Sequence, residues 1–282
     1  MNRGSSPLPG TNDKQSSHEV TATPMPTGGV CAIILAAGEG SRMKSDLPKP
    51  LHEVCGTSMV MHVVHSLEAI PLVATVVVVG HRAPEVTAHV RANAPDWARI
   101  QFATQHEQNG TGDAAAAGLT GLSADISSNT SSVLVMPGDT PLLTSHTINR
   151  LIAEHTSSNN AATVLTAVLD DPTGYGRIVR DSGANVVGIV EHRDASPDEL
   201  NIREINTGIY LFDFALFGPA LKGIGTNNSQ AEYYLTDVVA VLASAGHSVG
   251  SVIAPASETA GVNDPQQLAE AEQEMLRRNA GV

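Results

Sequence analysis

The chain has 282 residues, of which 41% are hydrophobic and 16% charged, proportions that are ordinary for a globular protein. Its formal net charge of −13 disfavours a general binder of nucleic-acid backbones, because such binding depends on surface positive charge. Aromatic residues make up only 3%, too few for a platform that stacks single-stranded bases. The 2 cysteines form no CxxC pair, which favours a reducing compartment and no structural zinc.

Residues 1–29 are rich in Ser, Thr, Pro and Gly and contain no apolar run, so we predict a disordered N-terminal tail without a secretory signal. No later stretch approaches the roughly 18 apolar residues of a membrane helix. These features predict a cytoplasmic protein with no membrane or nucleic-acid partner, and with one folded domain over residues 30–282.

Short apolar runs alternate with helix-like stretches along the first half of the folded part. This alternation predicts βαβ units, and therefore an α/β fold with an open, mostly parallel sheet flanked by helices. The predicted strands are 30–35, 73–79, 133–136 and 161–169, and the predicted helices are 59–70, 84–93, 113–122 and 145–155.

The pattern becomes strand-rich after residue 170. Strands at 177–179, 186–190 and 205–212 predict a small inserted antiparallel lobe. A helix over 231–245 and a strand over 248–253 then return to the main body, followed by a last helix over 265–278. Ligands of open α/β sheets bind beyond the carboxyl ends of the strands, so the loops after Leu35, Gln105 and Met136 are the candidate sites.

The loop after the first strand has the composition of a phosphate-binding turn. Small residues and glycines from Leu35 to Gly40 let backbone N–H groups approach a triphosphate closely. The loop is neither a Walker sequence nor a dinucleotide fingerprint, because Met43 stands where the latter needs a small residue. Arg42 follows, and then Lys49 between two prolines that restrict its backbone. Gly-x-Gly-x-Arg followed by Pro-Lys-Pro therefore predicts a site for phosphates.

The segment LAAGEGSRMKSDLPKPLHEVCG, which spans residues 35–56, resembles the signature loop of sugar-1-phosphate nucleotidylyltransferases. It is most similar to the members that act on N-acetylglucosamine 1-phosphate, which form the first half of a bifunctional bacterial enzyme. The resemblance extends over roughly residues 30–276. It continues in QHEQNGTG (105–112), PGDTPL (137–142), DPTGYGRI (171–178), IVEHRDA (189–195), EINTG (204–208), QAEYYLTD (230–237) and GVN (261–263).

The resemblance implies a Rossmann-like, glycosyltransferase-A-like nucleotidyltransferase fold with a mixed, mostly parallel sheet. It also implies Mg²⁺-dependent transfer of uridylyl from UTP to N-acetylglucosamine 1-phosphate, giving UDP-N-acetylglucosamine and pyrophosphate for cell-wall peptidoglycan. Its substrates would be small molecules. The oligomeric state stays open, because the family trimer is built by a hexapeptide-repeat domain, and no such repeat occurs here. We accordingly expect no acetyltransferase activity.

The family's roles carry over to matching positions. Arg42 and Lys49 would be the catalytic cations on the phosphates, and Asp139 and Asn263 the Mg²⁺ ligands. Asp264 and Pro265 already form a good helix start, so Asn263 is not needed as a cap. The implied substrate-binding residues are Leu35, Ala36, Ala37, Gly38, Lys49, Gln105, Gly110, Thr111, Pro137, Gly138, Asp139, Gly176, Glu191, Asn206 and Asn263.

Within that set, Gln105, Gly110 and Thr111 would read the nucleobase, and Gly176, Glu191 and Asn206 the sugar. Glu191 lies in an apolar strand and should therefore have a partner. Arg177 is the competing structural candidate for that partner.

Two positions depart from the family pattern. Pro137 offers only its carbonyl where relatives often carry a hydroxyl, and Asp113 stands where a histidine is usual. Asp113 favours the start of the next helix and places negative charge near an anionic substrate, so we expect weaker nucleotide affinity.

Two other functions stay open. One is thymidylyl or cytidylyl transfer to another sugar or polyol phosphate. The other is nucleotide-sugar binding without catalysis, which the presence of Arg42, Lys49 and Asp139 disfavours.

Overall fold

The structure is a computed structural model that describes Met1 and residues 28–281. The predicted disordered tail therefore lies outside the described residues, apart from Met1 and its last two positions. Gly29 is the first residue of the first strand and donates its backbone N–H to Asn129 O at 2.9 Å, so this strand begins one residue earlier than predicted.

One mixed sheet organises the described chain, with the strand order β11-β7-β10-β6-β1-β4-β5. Its strands are β1 (Gly29–Ala36), β4 (Leu72–Val79), β5 (Ile100–Thr104), β6 (Thr130–Pro137), β7 (Ala162–Val168), β10 (Glu204–Asp213) and β11 (Val249–Ile253). The remaining strands are β2 (Glu53–Val54) and β3 (Thr57–Ser58), which form a separate pair, and β8 (Arg177–Arg180) and β9 (Val186–Val190), which form a hairpin at the sheet's side.

The helices are α1 (Met59–His65), α2 (Ala83–Asn93), α3 (Thr111–Thr120), α4 (Ala124–Ser128), α5 (Ser145–Ser157), α6 (Phe214–Gly223), α7 (Asp237–Ser244), α8 (Ala256–Thr259) and α9 (Pro265–Asn279). None of the helices in the described part of the chain is both long and apolar enough to cross a membrane.

Both faces of the sheet are buried, as the continuous apolar strands predicted. Along β1 the side chains alternate: Cys31 and Ile33 face one apolar cluster, whereas Ala32 and Ile34 face the other. Helices α3, α6 and α7 cover the first face, and α1, α2 and α5 cover the second. The predicted α/β architecture with helices on both sides is confirmed.

The antiparallel lobe is smaller than predicted. Strand β10 lies inside the main sheet, antiparallel to both β6 and β7, and only β8 and β9 form the lobe. Because β10 is nearly continuously buried over its 10 residues, it has the character of a central strand rather than of a lobe with one wet face.

Several helix bounds also differ from the prediction. Helix α1 ends at His65, where the Ser66 hydroxyl donates to Val63 O at 2.7 Å and the chain continues in turns. Helix α7 begins at Asp237 rather than at residue 231, because the preceding segment pairs with the loop before α3 through Tyr233. Helix α6 was not predicted; Asp213 caps it by accepting from Leu216 N.

Candidate active site

A cleft of about 620 Å³ opens beyond the carboxyl ends of β1, β5 and β6. Parallel strands end at the same edge of a sheet, so the loops that follow them meet there. All of the sequence-predicted site residues line this one cleft; their individual roles stay predictions. They are Leu35, Ala36, Ala37, Gly38, Arg42, Lys49, Gln105, Gly110, Thr111, Pro137, Gly138, Asp139, Gly176, Glu191, Asn206 and Asn263.

Two cationic side chains and two side-chain oxygen atoms that can act as metal ligands meet in the cleft. The Lys49 ammonium forms an ion pair with Asp139 Oδ2 and donates to Asn263 Oδ1 at 2.7 Å. Arg42 Nη2 donates to the same Asn263 oxygen at 2.9 Å. Residues separated by as many as 221 positions therefore share one hydrogen-bonded cluster.

The two oxygen donors are held by backbone contacts between their loops. Val262 N donates to Asp139 O at 2.9 Å, and Asn263 N donates to Gln267 Oε1 at 2.7 Å. Asp264 is the N-cap of α9, accepting from Gln267 N at 2.9 Å, and Pro265 follows at the first helical position. The Asn263 side chain is thus free of capping and faces the cleft.

The Lys49 side chain is placed by the glycine loop. Gly40 adopts a φ of +67°, and a Cβ added there would come within 2.4 Å of Lys49 Cβ. Lys49 itself opens a short 3₁₀ turn over Lys49–Leu51, between Pro48 and Pro50. Only glycine allows the loop to pass this closely over the lysine stem.

In the part of the cleft next to β5, Gln105 is buried and follows the strand directly. Its Nε2 donates to Gly110 O at 3.1 Å and to Asp113 Oδ2 at 2.8 Å. Asp113 lies in the first turn of α3, as expected from the sequence, but it does not cap the helix; Gly110 occupies the N-cap position. The loop is tied to the segment before α7, since Leu235 N donates to Thr111 Oγ1 at 3.0 Å.

In another part of the cleft, Asn206 and Glu191 lie beside Gly176. Asn206 N donates to Gly176 O at 2.9 Å, and its side-chain Oδ1 accepts from Gly208 N at 3.0 Å. The Asn206 amide also donates to the buried Tyr210 hydroxyl at 2.6 Å. These contacts fix the amide at a strand that turns through Gly208, where φ is +79°.

The carboxyl of Glu191 is largely buried, and this burial raises its pKa above the ordinary value. The hydroxyl of Thr236 donates to Glu191 Oε1 at 3.2 Å and opposes the rise, whereas the negative charges of Asp237 and Asp194 add to it. Its second oxygen, Oε2, lies 3.5 Å from the place that a Cβ on Gly176 would occupy. A carboxyl lining the cleft in this way can accept hydrogen bonds from hydroxyl groups.

Arg177 is not the partner of Glu191, contrary to the structural alternative raised from the sequence. Its guanidinium donates to the carbonyl of Tyr175 and lies 3.4 Å from His192 Nδ1. The side chain is buried and turned toward the loop that precedes β8, which it supports. Thr236 is the partner that the sequence analysis missed, because nothing marks a threonine 45 positions away as a neighbour.

Other lining residues also escaped the sequence analysis, among them Tyr175 and Gln108. Burial and the nearby charge of Asp139 raise the pKa of the Tyr175 phenol. Gln108 Nε2 lies 3.5 Å from Ala37 O, across the glycine loop. Both lie in segments whose family resemblance was recognised, but side-chain type alone did not single them out.

The donor set fits a hard divalent cation. One carboxylate oxygen of Asp139 and one amide oxygen of Asn263 already contact a single positive atom, Lys49 Nζ. Mg²⁺ characteristically takes one or two protein oxygens and completes its shell with water and phosphate. Within the described residues there is no cluster of three or more His, Cys, Asp or Glu side chains that would favour a fully protein-ligated metal.

Comparison with solved structures agrees with the fold. A Bacillus anthracis protein assigned as a glucose-1-phosphate thymidylyltransferase superimposes with a TM-score of 0.68, at 21% identity over 86% of this chain and 94% of that chain. The likeness shows the fold alone. The family model and the curated relatives define the class of the protein, that of the nucleotidyltransferases.

The family model described as the MobA-like NTP transferase domain matches residues 32–191, more than half of the chain, so the chain belongs to this family. The sequence identity of the chain to curated proteins is higher than its identity to that solved structure. It is 50% identical to the Bifunctional protein GlmU of Streptomyces coelicolor over 241 residues, which cover 85% of this chain and 49% of that protein.

The Bifunctional protein GlmU of Clostridium botulinum is 44% identical over 243 residues, covering 86% of this chain and 51% of that protein. The Bifunctional protein GlmU of an Exiguobacterium species is 47% identical over 248 residues, which cover 88% of this chain and 53% of that protein. The chain therefore spans about half the length of these relatives. The resemblance stated from the sequence, and the assignment as a nucleotidyltransferase enzyme, are confirmed.

Proposed function

We propose that the protein transfers uridylyl from UTP to N-acetylglucosamine 1-phosphate, giving UDP-N-acetylglucosamine and pyrophosphate. A phosphate oxygen of the sugar phosphate attacks the α-phosphorus of UTP, and the bond from that phosphorus to the oxygen bridging to the β-phosphate breaks. Pyrophosphate leaves with the electron pair. The similarity to the bifunctional relatives supports this choice of substrates.

The observation that carries the proposal is the convergence of Arg42, Lys49, Asp139 and Asn263 at the centre of one cleft. Phosphoryl transfer needs alignment and charge neutralisation more than covalent help from the protein. A guanidinium and an ammonium beside two oxygen donors supply the neutralisation. The other side chains that line the cleft, among them Gln105 and Glu191, would supply the alignment.

Each part of the cleft then has a distinct task. The backbone from Leu35 to Gly38 lies against the triphosphate, and Pro137 and Gly138 border the nucleotide from β6. Gln105, Gly110 and Thr111 hold the base. Gly176, Glu191 and Asn206 hold the sugar, with the carboxylate accepting from hydroxyl groups and the amide pairing with the acetamido group.

Asp139 and Asn263 would hold Mg²⁺, which when bound neutralises charge on the phosphates. Arg42 is suited to planar contact with phosphate oxygens, and Lys49 acts as a point charge on a flexible stem. In the structure both cations contact Asn263 Oδ1. They therefore lie beside the proposed metal ligands, where the phosphates would bind.

We place the enzyme in the cytoplasm as a supplier of precursor for cell-wall peptidoglycan. Its substrate UTP belongs to that compartment. The two cysteines support a reducing environment, because Cys31 and Cys55 are both free thiols.

The test is pyrophosphate release from UTP and N-acetylglucosamine 1-phosphate in the presence of Mg²⁺. We expect turnover that EDTA abolishes and that added Mg²⁺ restores. Parallel assays replace UTP by TTP or CTP, and the acceptor by glucose 1-phosphate or glucosamine 1-phosphate. Faster turnover of another pair would overturn the substrate assignment, and absence of turnover with every pair would favour nucleotide-sugar binding without catalysis.

A further inference from the structure

The buried side-chain amide of Gln105 has only its oxygen, Oε1, left for hydrogen bonding to a ligand in the cleft. Both of its N–H groups are occupied, one by Gly110 O at 3.1 Å and the other by Asp113 Oδ2 at 2.8 Å. Within the described residues no hydrogen bond reaches Gln105 Oε1. Because the side chain is only 5% exposed, little water can reach Oε1, and a ligand in the cleft would be its hydrogen-bond donor.

The reverse orientation of this amide is excluded by charge. A flip would place Oε1 against the carbonyl oxygen of Gly110 and a carboxylate oxygen of Asp113, which are both acceptors. Hydrogen bonds to a carboxylate are stronger than neutral ones, and leaving buried acceptors face to face is correspondingly unfavourable. Gly110 alone would bias the amide, and Asp113 makes the bias decisive.

We propose that Asp113 is a positioning residue that fixes Gln105 as a hydrogen-bond acceptor and thereby makes the cleft select pyrimidines with an imide N–H over cytosine. Uracil and thymine carry N3–H beside a carbonyl, which suits Oε1 together with a backbone donor. Gly110 N, at the same loop, donates to no group within the described residues. Cytosine presents the opposite pattern, with an acceptor at N3 and a donor at its amino group.

This inference rests on the proposed nucleotide end of the cleft, but it concerns a residue that departs from the family pattern. It also differs from the electrostatic effect expected from the sequence. A negative charge near a triphosphate lowers affinity for every nucleoside triphosphate alike, whereas an amide held in one orientation changes the ratio between uridine and cytidine nucleotides.

The test compares Asp113→Asn with Glu107→Gln. Both remove one negative charge from the same loop region, but only Asp113→Asn frees the Gln105 amide, because the new side chain can accept from it or donate to it. Glu107 is exposed and contacts Asn109 instead. Asp113→Ser serves as a second variant, and thermal unfolding verifies that each protein is folded.

Calorimetry measures the dissociation constants of UTP and CTP for each variant, without acceptor. We expect the wild type and Glu107→Gln to share one preference for UTP, and the CTP-to-UTP ratio of dissociation constants to fall about tenfold in Asp113→Asn. An unchanged ratio in folded Asp113→Asn and Asp113→Ser would overturn the proposal. So would an equal change of the ratio in Glu107→Gln.

Binding also separates this inference from the proposed function. If no sugar phosphate yields pyrophosphate while the UTP preference falls in Asp113→Asn, the reaction is wrong and the role of Asp113 stands. If turnover is normal and the preference does not change, the reaction stands and the role of Asp113 is wrong.

Discussion

Lys49 Nζ lies 2.7 Å from Asn263 Oδ1, although the two residues are 214 positions apart in the chain. The same ammonium pairs with the Asp139 carboxylate. A positive charge of the protein's own thus stands on the two oxygens proposed as metal ligands. A divalent cation and the Lys49 ammonium therefore compete for these oxygens whenever no phosphate is present to receive the lysine.

Replacing Lys49 by methionine removes the charge and keeps most of the stem. We expect Lys49→Met to bind Mn²⁺ more tightly than the wild type in the absence of nucleotide, because the competing ammonium is gone. Turnover should nevertheless fall by about 10²–10³-fold, the usual effect of losing one preorganised charge. Electron paramagnetic resonance of free Mn²⁺ measures the Mn²⁺ affinity, and pyrophosphate release measures the turnover. Lys44→Met, an exposed change nearby, is the control; weaker Mn²⁺ binding by Lys49→Met would contradict the competition.

Removing the Asn263 amide tests the other side of the same contact. Asn263→Ala should weaken Mn²⁺ binding in the presence of UTP by about 10–100-fold and lower turnover, since one of two protein oxygens is lost. Gln266→Ala removes an amide three residues away whose one side-chain hydrogen bond among the described residues is to Glu270, and it should leave both quantities unchanged. Equal Mn²⁺ affinity in the two variants would exclude Asn263 as a ligand.

Gly40→Ala tests how the glycine loop places Lys49. The new methyl would come within 2.4 Å of Lys49 Cβ, on a backbone with φ of +67°. The matched control is Gly56→Ala, where φ is +79° and nothing lies within 4 Å of the added Cβ. Both changes should lower the free energy of unfolding by about 1–2 kcal/mol through backbone strain. Only Gly40→Ala should also lower kcat strongly; similar kcat in both variants would mean that the loop tolerates the displacement.

The pH dependence of stability should report on His155, which is buried against Thr163 with Nδ1 at 3.0 Å from the hydroxyl. Burial lowers its pKa to about 4, partly offset by Asp213. The folded state therefore holds the ring neutral where the unfolded state binds a proton. Titration of His155 therefore leaves the free energy of unfolding unaffected above about pH 6.5. As the pH falls from there toward 4, the free energy of unfolding decreases by about 3 kcal/mol in all.

Urea denaturation between pH 7 and pH 4 measures this loss. In His155→Gln the free energy of unfolding should fall less steeply over that interval, even if the variant is less stable at pH 7. His146→Gln changes an exposed histidine on the same helix and should retain the wild-type slope. A wild-type slope in His155→Gln would assign the acid sensitivity to other groups.

The sequence was most informative where local patterns determine structure. The apolar composition of Val133–Met136 is enough to predict a buried strand. The Asp264 side chain and the proline that follows it are enough to predict the helix cap. Strand β10 was misplaced because the positions it pairs with lie 75–81 residues earlier in β6 and 36–50 residues earlier in β7. Pairing at such distances leaves no local pattern in the sequence. Likewise, Thr236 beside Glu191 and Asp113 beside Gln105 are contacts that only the folded chain creates.

Asn263, beside α9, reaches back to Arg42 and Lys49 near the start of the described chain. During synthesis, which proceeds from the amino terminus, most of the sheet emerges before this amide does. A ribosome-bound fragment ending ahead of position 263 holds the two cations and the Asp139 carboxylate but lacks the amide oxygen that accepts from both cations. The cleft therefore gains its full set of polar groups only after position 263 has been synthesised.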